Sequence, residues 1–509
     1  WSRGLGDVYK RQGEHFEVSP EVTLGPREWF TAKDGAGLGF DMAYDFTGKP
    51  ASRLYMNSGE LHTLYNTNQR GYIQYYNRWE ASDDLVVRLQ VEQWGDRDFY
   101  RDYYYHEYRN RTEPRTFGAV TYRQDGYIAE GVVQPNTHSW ERETERLPEG
   151  AFYLLERPIA NRLYVSFETV NGYNDRQPAG GAGIRSANSA RLSYDINIGT
   201  YLNILPFFDV QDTWYGSRRF DDSSDNRLSP TVGVNLQTRL QRTYGGALGF
   251  SGFKHIIVPS VTYSYRPDTN LSIEKAPRYD ALDNAFGLSR LETKLDNLIY
   301  GKDAKTGQTW QVARVTLYHG ADFWNEISTS ADYEAEIDIR PRPWWGYELA
   351  AERHEINGSF DLTTRNGLRN YAYDQIQSLL NRPFDPIRDP GFDVRFGDYN
   401  RILTQLYYDN TPIGGRWNAR LGYAYTSTQG NTYNREVLYG LGVRLNDNWS
   451  VAFEQRYDFD DNRFRQQVYE VRRRLHCWEA GLLYRQRESG YDINFTFNIA
   501  AFPGSKFKI

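Results

Sequence analysis

A single cysteine, Cys477, is present among 509 residues, so no disulfide can close within this chain. No stretch approaches the ~18 consecutive apolar residues of a spanning helix. That excludes a helical membrane protein but leaves open a spanning sheet, whose signal per segment is weak. Hydrophobic residues make up only 39%, a thin supply for the cores of the two or three soluble domains this length would otherwise suggest. No Gly/Ser-rich linker and no break in composition divides the chain. A net charge of -6 gives no electrostatic footprint for nucleic acid. G-x-S-x-G, H-E-x-x-H, P-loop and paired Cys/His patterns are missing. The eight His are scattered, and neither His255 nor His354 has a triad partner close in sequence. The chain is therefore read as holding no metal or cofactor and as not being an enzyme.

Aromatic residues, by contrast, reach 16%, with 41 Tyr, 26 Phe and 13 Trp. They recur with a period of two. Near the end, Tyr491, Ile493, Phe495, Phe497 and Ile499 alternate with Asp492, Asn494, Thr496 and Asn498. Successive strand residues point to opposite faces, so this run has one apolar and one polar face. Trp478, Ala480, Leu482 and Tyr484 repeat the pattern, as do Trp449, Val451 and Phe453. At the other end, Glu17–Leu24 reads as a first strand, and Leu38, Phe40, Met42, Tyr44 and Phe46 mark the next. About 25 such runs fill the chain, spaced as ~10-residue spanning strands joined by short turns and longer loops.

The spacing predicts an all-β chain folded as a single large antiparallel transmembrane β-barrel of about 24–26 strands, because bacterial single-chain barrels use even numbers. No repeat every ~40–50 residues supports a propeller. Trp29, Trp79, Trp94, Trp214, Trp310, Trp345, Trp417, Trp449 and Trp478 lie at strand ends, where interfacial girdles need them. The charged stretch Gly95–Pro114 and the Pro- and Asp-rich Asn381–Gly391 read as loops, with a short helix possible over Gln375–Leu380. Residues 1–12, above all GLGDVYKRQ from Gly4 to Gln12, read as a sequence scar outside the fold, which is expected to occupy residues 13–509.

Several stretches resemble the LPS-assembly protein of the Gram-negative outer membrane, the LptD (OstA, organic solvent tolerance) family. They are Phe253–Tyr265 (FKHIIVPSVTYSY), Leu147-Pro148 after a charged loop, Ser289–Tyr300 (SRLETKLDNLIY), Cys477-Trp478 before the closing strands and, more loosely, Arg340–Pro343. The resemblance implies a barrel in the cell outer membrane that accepts lipopolysaccharide and places it in the outer leaflet. It implies a plug lipoprotein within the barrel, and a periplasmic bridge protein engaged through an N-terminal jelly roll that this chain lacks upstream of Glu17. Outer-membrane lipids are the remaining expected partner.

The resemblance places substrate exit between the first and last strands. The gate would then consist of Val18, Pro20, Val22, Leu24 and Pro26 facing Tyr491, Ile493, Phe495 and Phe497. Proline has no N–H to give a ladder, so two prolines here would weaken pairing where opening is needed. Alternatively, Pro20 simply marks a strand end. The resemblance also implies an inter-domain disulfide for Cys477, against the alternative of a lone buried thiol. Alternation sends Arg473 to the face opposite Arg472 and Arg474, whose partners would be phosphates or lumenal carboxylates. Tyr103, Tyr104 and Tyr105 fit either a girdle or a loop packed on the plug. Two other function classes stay open: another large outer-membrane barrel, either a passive solute channel or a surface polysaccharide-binding protein, and a soluble all-β adhesion or scaffold protein.

Overall fold

In the computed structural model the described residues are 16–508, apart from 20–21, 32–34, 47–56, 67–69, 97–98, 100–114, 139–143, 177–180, 218–222, 273–274, 278, 326–328, 343, 358–398, 412–413, 429–430, 476–477, 488–489 and 500–505. Among them, 28 strands, numbered β1 to β28 in chain order, form one antiparallel sheet in which each pairs with its neighbours along the chain. β11 (Gly181–Tyr194) and β12 (Ile196–Ile198) run end to end along β13 (Leu202–Tyr215). β14 (Asp225–Gln237) and β15 (Leu240–Gly245) do the same along β16 (Phe250–Arg266). Each pair fills one position, which leaves twenty-six positions, the upper end of the expected range. The outermost two are short: β1 (Phe16–Ser19) and β28 (Lys506–Lys508).

Burial is inverted relative to a water-soluble protein. On β11, Ile184 and Leu192 are exposed while Arg185 and Ser193 are buried. On β13, Phe208 and Trp214 are exposed while Thr213 and Tyr215 are buried, and on β14 Leu228 and Val232 are exposed while Arg227 and Ser229 are buried. In water so much exposed apolar surface would drive association. Covered by hydrocarbon it is the stable arrangement, because the ladders satisfy the backbone groups between paired strands and the polar rows turn inward.

The connections differ in length at the two ends of the strands. At one end β9 (Glu145–Ala160) and β10 (Leu163–Arg176) are joined by 161–162, and β15 and β16 by 246–249. At the other, 95–116 separates β6 (Leu85–Trp94) from β7 (Phe117–Gln124), and 267–287 separates β16 from β17 (Leu288–Asp303). Outer-membrane barrels keep short turns in the periplasm and long loops outside. β2 (Val22–Thr31) therefore starts, and β27 (Gly490–Ile499) finishes, at the periplasmic end. Closing twenty-six positions about 4.8 Å apart, with strands tilted by ~40°, needs a cylinder roughly 50 Å across at the backbone.

The tryptophan reading holds for Trp79, Trp214, Trp417 and Trp449, all exposed at strand ends. Trp94 departs from it, being 4% exposed. Along β6 it falls in phase with Glu92, also buried, on the inner row. Its place in the alternation, rather than its place at a strand end, decides which way it faces.

Candidate functional site

The first strand expected over Glu17–Leu24 is instead two. β1 and β2 pair antiparallel, with Phe16 opposite Leu24, Glu17 opposite Thr23 and Ser19 opposite Val22, so the chain reverses between Ser19 and Val22. Val18 belongs to β1, and Pro20 lies outside the described residues. Val22, Leu24 and Pro26 are all in β2, opposite Tyr44, Met42 and Phe40 of β3 (Gly35–Phe46); Pro26, expected beyond the strand, sits inside it. Tyr491, Ile493, Phe495 and Phe497 are in β27, opposite Gln486, Tyr484, Leu482 and Ala480 of β26 (Trp478–Arg487). Tyr491 and Ile493 are exposed, at 72% and 51%. β28 pairs with β27 only over Thr496–Asn498. Among the described residues no ladder joins β1 or β2 to β27 or β28.

Near that edge, in β25 (Arg463–Arg474), Arg472 pairs with the carboxylate of Glu470, whereas Arg473 lies 5.1 Å over the Trp449 ring. The arginines divide between the two faces, as alternation requires. Cys477 and Tyr103–Tyr105 lie outside the described residues, as do the stretches 375–380 and 381–391.

Alternation gave no notice of the most heavily bonded region, the 267–287 connection, which folds back against the inner face of β9 to β16. Its centre is a 3-10 turn, Ala281–Asn284, started by a capping box between Asp280 and Asp283. Arg185, fully buried on β11, reaches both carboxylates: 2.7 and 2.8 Å to Asp280 and 3.1 Å to Asp283. Its Nη2, which also donates to Asp280, is 3.2 Å from Glu149 on β9. The Tyr215 hydroxyl of β13 donates to Asp283 at 2.9 Å. Arg227 of β14 donates to the carbonyls of Asp283 and Leu282, Gln211 to Leu282 at 2.8 Å, and Ser229 to Ala285 at 2.7 Å. Arg176 of β10 and Arg266 of β16 hold the ends of the segment through the carbonyls of Tyr279 and Phe286, at 3.2 and 3.1 Å. Beneath lies a small apolar cluster of Tyr215, Leu271, Ala276, Tyr279 and Phe286.

A turn this compact touches strands from β9 to β16 only because the wall curls around it. In a flat sheet those positions would span roughly 25 Å at about 4.8 Å per strand. Donors that belong to the wall thus satisfy the polar backbone of the turn inside the barrel. Burial pushes both carboxyls of the turn up. At Asp280 the charge and two hydrogen bonds of Arg185 outweigh that and hold the carboxyl below the usual range, whereas at Asp283 burial and the Asp280 charge prevail. Burial also raises the Tyr279 phenol, to about 12, so it stays neutral.

Strand number, polar interior and apolar exterior define a large outer-membrane β-barrel. Residues 68–316 match the family model described as LptD, LPS transport system D. That stretch is an LptD-like barrel region, and the protein is integral to a Gram-negative outer membrane. The matched stretch holds the folded-in turn and the strand residues named above that hydrogen-bond to it, whereas β2 and β27 lie outside it. No curated protein matches. Among solved structures, the unliganded ferric citrate transporter FecA aligns over 91% of this chain and 73% of its own, at 8% identity and a TM-score of 0.33. The copper transporter OprC aligns over 94% and 75%, at 10% identity and a TM-score of 0.29. A BenF-like porin from Pseudomonas fluorescens Pf-5 aligns over 96% and 98%, at 8% identity and a TM-score of 0.26. At TM-scores this low none of them bears on function.

Proposed function

We propose that the barrel inserts lipopolysaccharide into the outer leaflet through a lateral opening between β2 and β27. The state of the two edges carries this reading. β2 places Val22, Leu24 and Pro26 in one row, and β27 places Tyr491, Ile493, Phe495 and Phe497 in another. A short strand pairs with each edge only near its periplasmic end, β1 along Val22–Leu24 and β28 along Thr496–Asn498. Beyond those points Pro26 removes a backbone donor from β2. Acyl chains could pass an opening lined by such apolar rows while the sugars travel in the polar lumen.

A barrel roughly 50 Å across at the backbone encloses a lumen far wider than its own side chains can fill. The hydrogen bonds of the folded-in turn described above go to one sector of the wall, β10 to β16. The remaining space suits a plug lipoprotein, and delivery from a periplasmic bridge protein would complete the relay.

Locking the edges tests the reading. Glu28→Cys and Ile493→Cys, with neighbouring pairs to allow for register, would be oxidised in a Cys477→Ser background. Lipopolysaccharide arrival at the cell surface is expected to fall at least tenfold and to return on reduction. Undiminished arrival with the crosslink formed rejects the lateral route and favours a passage through the lumen.

A further inference from the structure

The outward side of β10, β11 and β13 breaks the apolar rule. Register puts Asn171, Ser186 and Trp214 in one cross-strand row and Thr169, Asn188 and Asp212 in the next. These side chains form a ladder: Asn171 Nδ2 donates to Thr169 Oγ1 at 2.7 Å, that hydroxyl donates to Asn188 Oδ1 at 2.7 Å, and Asn188 Nδ2 reaches Ser186 Oγ at 3.4 Å. The Asp212 carboxylate beside them has no hydrogen-bond or ion-pair partner among the described residues. Toward the extracellular end lie exposed Tyr173, Ile184 and Trp214; toward the membrane centre come Phe167, Ala190 and Val210, then Leu192 and Phe208. The polar rows therefore sit at the outer-leaflet boundary, where an unpaired carboxylate against hydrocarbon is unfavourable.

We infer that this patch binds the sugar headgroup of an outer-leaflet glycolipid. Amides, hydroxyls and one carboxylate beside an exposed indole suit sugar hydroxyls and amides, with Trp214 as a platform for the apolar face of a ring. No Arg or Lys occupies the two rows, so a phosphate is not what the patch recognises. Acyl chains would lie over the apolar rows below. The wall is also cross-braced behind the patch: Arg185 and Tyr215, which alternate with Ser186 and Trp214, hydrogen-bond to Asp280 and Asp283 on the inner side. The site rests on the orientation assigned above and not on the seam, so its test and the crosslink fail independently.

The barrel would be reconstituted in phosphatidylethanolamine nanodiscs containing a small fraction of lipopolysaccharide, and glycolipid retained per barrel read by native mass spectrometry after detergent exchange. Asp212→Leu and the Asn171→Leu/Asn188→Leu pair are expected to lower retention about tenfold. Leu421→Ala, at an exposed position of the distant strand Trp417–Thr428, should leave it unchanged, and heat-modifiable migration checks folding. Equal glycolipid retention in wild type and variants, or equal retention of phosphatidylethanolamine, overturns the proposal. Displacement of glycolipid by soluble core oligosaccharide at equal molar concentration would also overturn it, because the site would then read free sugar rather than a membrane-anchored headgroup.

Discussion

Arg185→Ala is expected to destabilise the barrel by about 3–5 kcal/mol, the usual cost of leaving buried charges without their partner. Asp280, Asp283 and Glu149 all pair with this one guanidinium, and no water reaches it at 0% exposure. The loss should appear as a lower urea midpoint in lipid and as new protease cleavage at Lys275 in the folded-in turn. Asp280→Asn, which keeps the shape and one acceptor, should cost less. Arg185→Met combined with Asp280→Leu and Asp283→Asn should recover part of the loss, because replacing a buried ionic set by apolar groups is often close to neutral. If Arg185→Ala unfolds like wild type and Lys275 stays protected, the turn is held by its carbonyl contacts to Arg227, Gln211 and Ser229 instead.

The transmembrane pattern was legible because it is local. A period of two put Phe495 and Leu482 each on the apolar face of its strand and separated Arg473 from its neighbours without any knowledge of the third dimension. The reversal between Ser19 and Val22 was not legible, because both arms continue the same alternation and nothing in the period marks a turn. The folded-in turn was hidden for a different reason. Its one local signal is the Asp280/Asp283 spacing of a capping box. The partners that give those carboxylates meaning are Arg185, 95 and 98 residues away, and Tyr215, 68 away. Such pairings depend on how the wall curls, and no window of sequence carries that. Trp94 shows two rules in conflict, strand-end placement pointing outward and phase with Glu92 pointing inward. Phase prevails, because a one-residue shift would turn the whole strand over.

Phe208→Lys gives the largest effect expected from a single surface change, and it tests the inside-out arrangement itself. Phe208 is exposed at the middle of β13, between Leu192 and Val232 on the neighbouring strands, both also exposed. A lysine there faces hydrocarbon near the midplane and should cost about 2–4 kcal/mol of folding in lipid. Ser189→Lys, three positions from Leu192 along β11, is the matched control. Its register partners are Glu168 and Gln211 on the inner face, where an ammonium meets a carboxylate. Its effect should be the smaller of the two, about 1 kcal/mol, the typical cost of a single substitution. The measurement is urea unfolding of both variants in bilayers of one composition, with the same variants in detergent micelles as a milder medium. Equal costs at the two positions would mean that the exposed aromatic rows do not face hydrocarbon. Protein would have to cover them, and a sheet built that way could neither line a lumen with Arg185 and Arg227 nor open sideways to lipid.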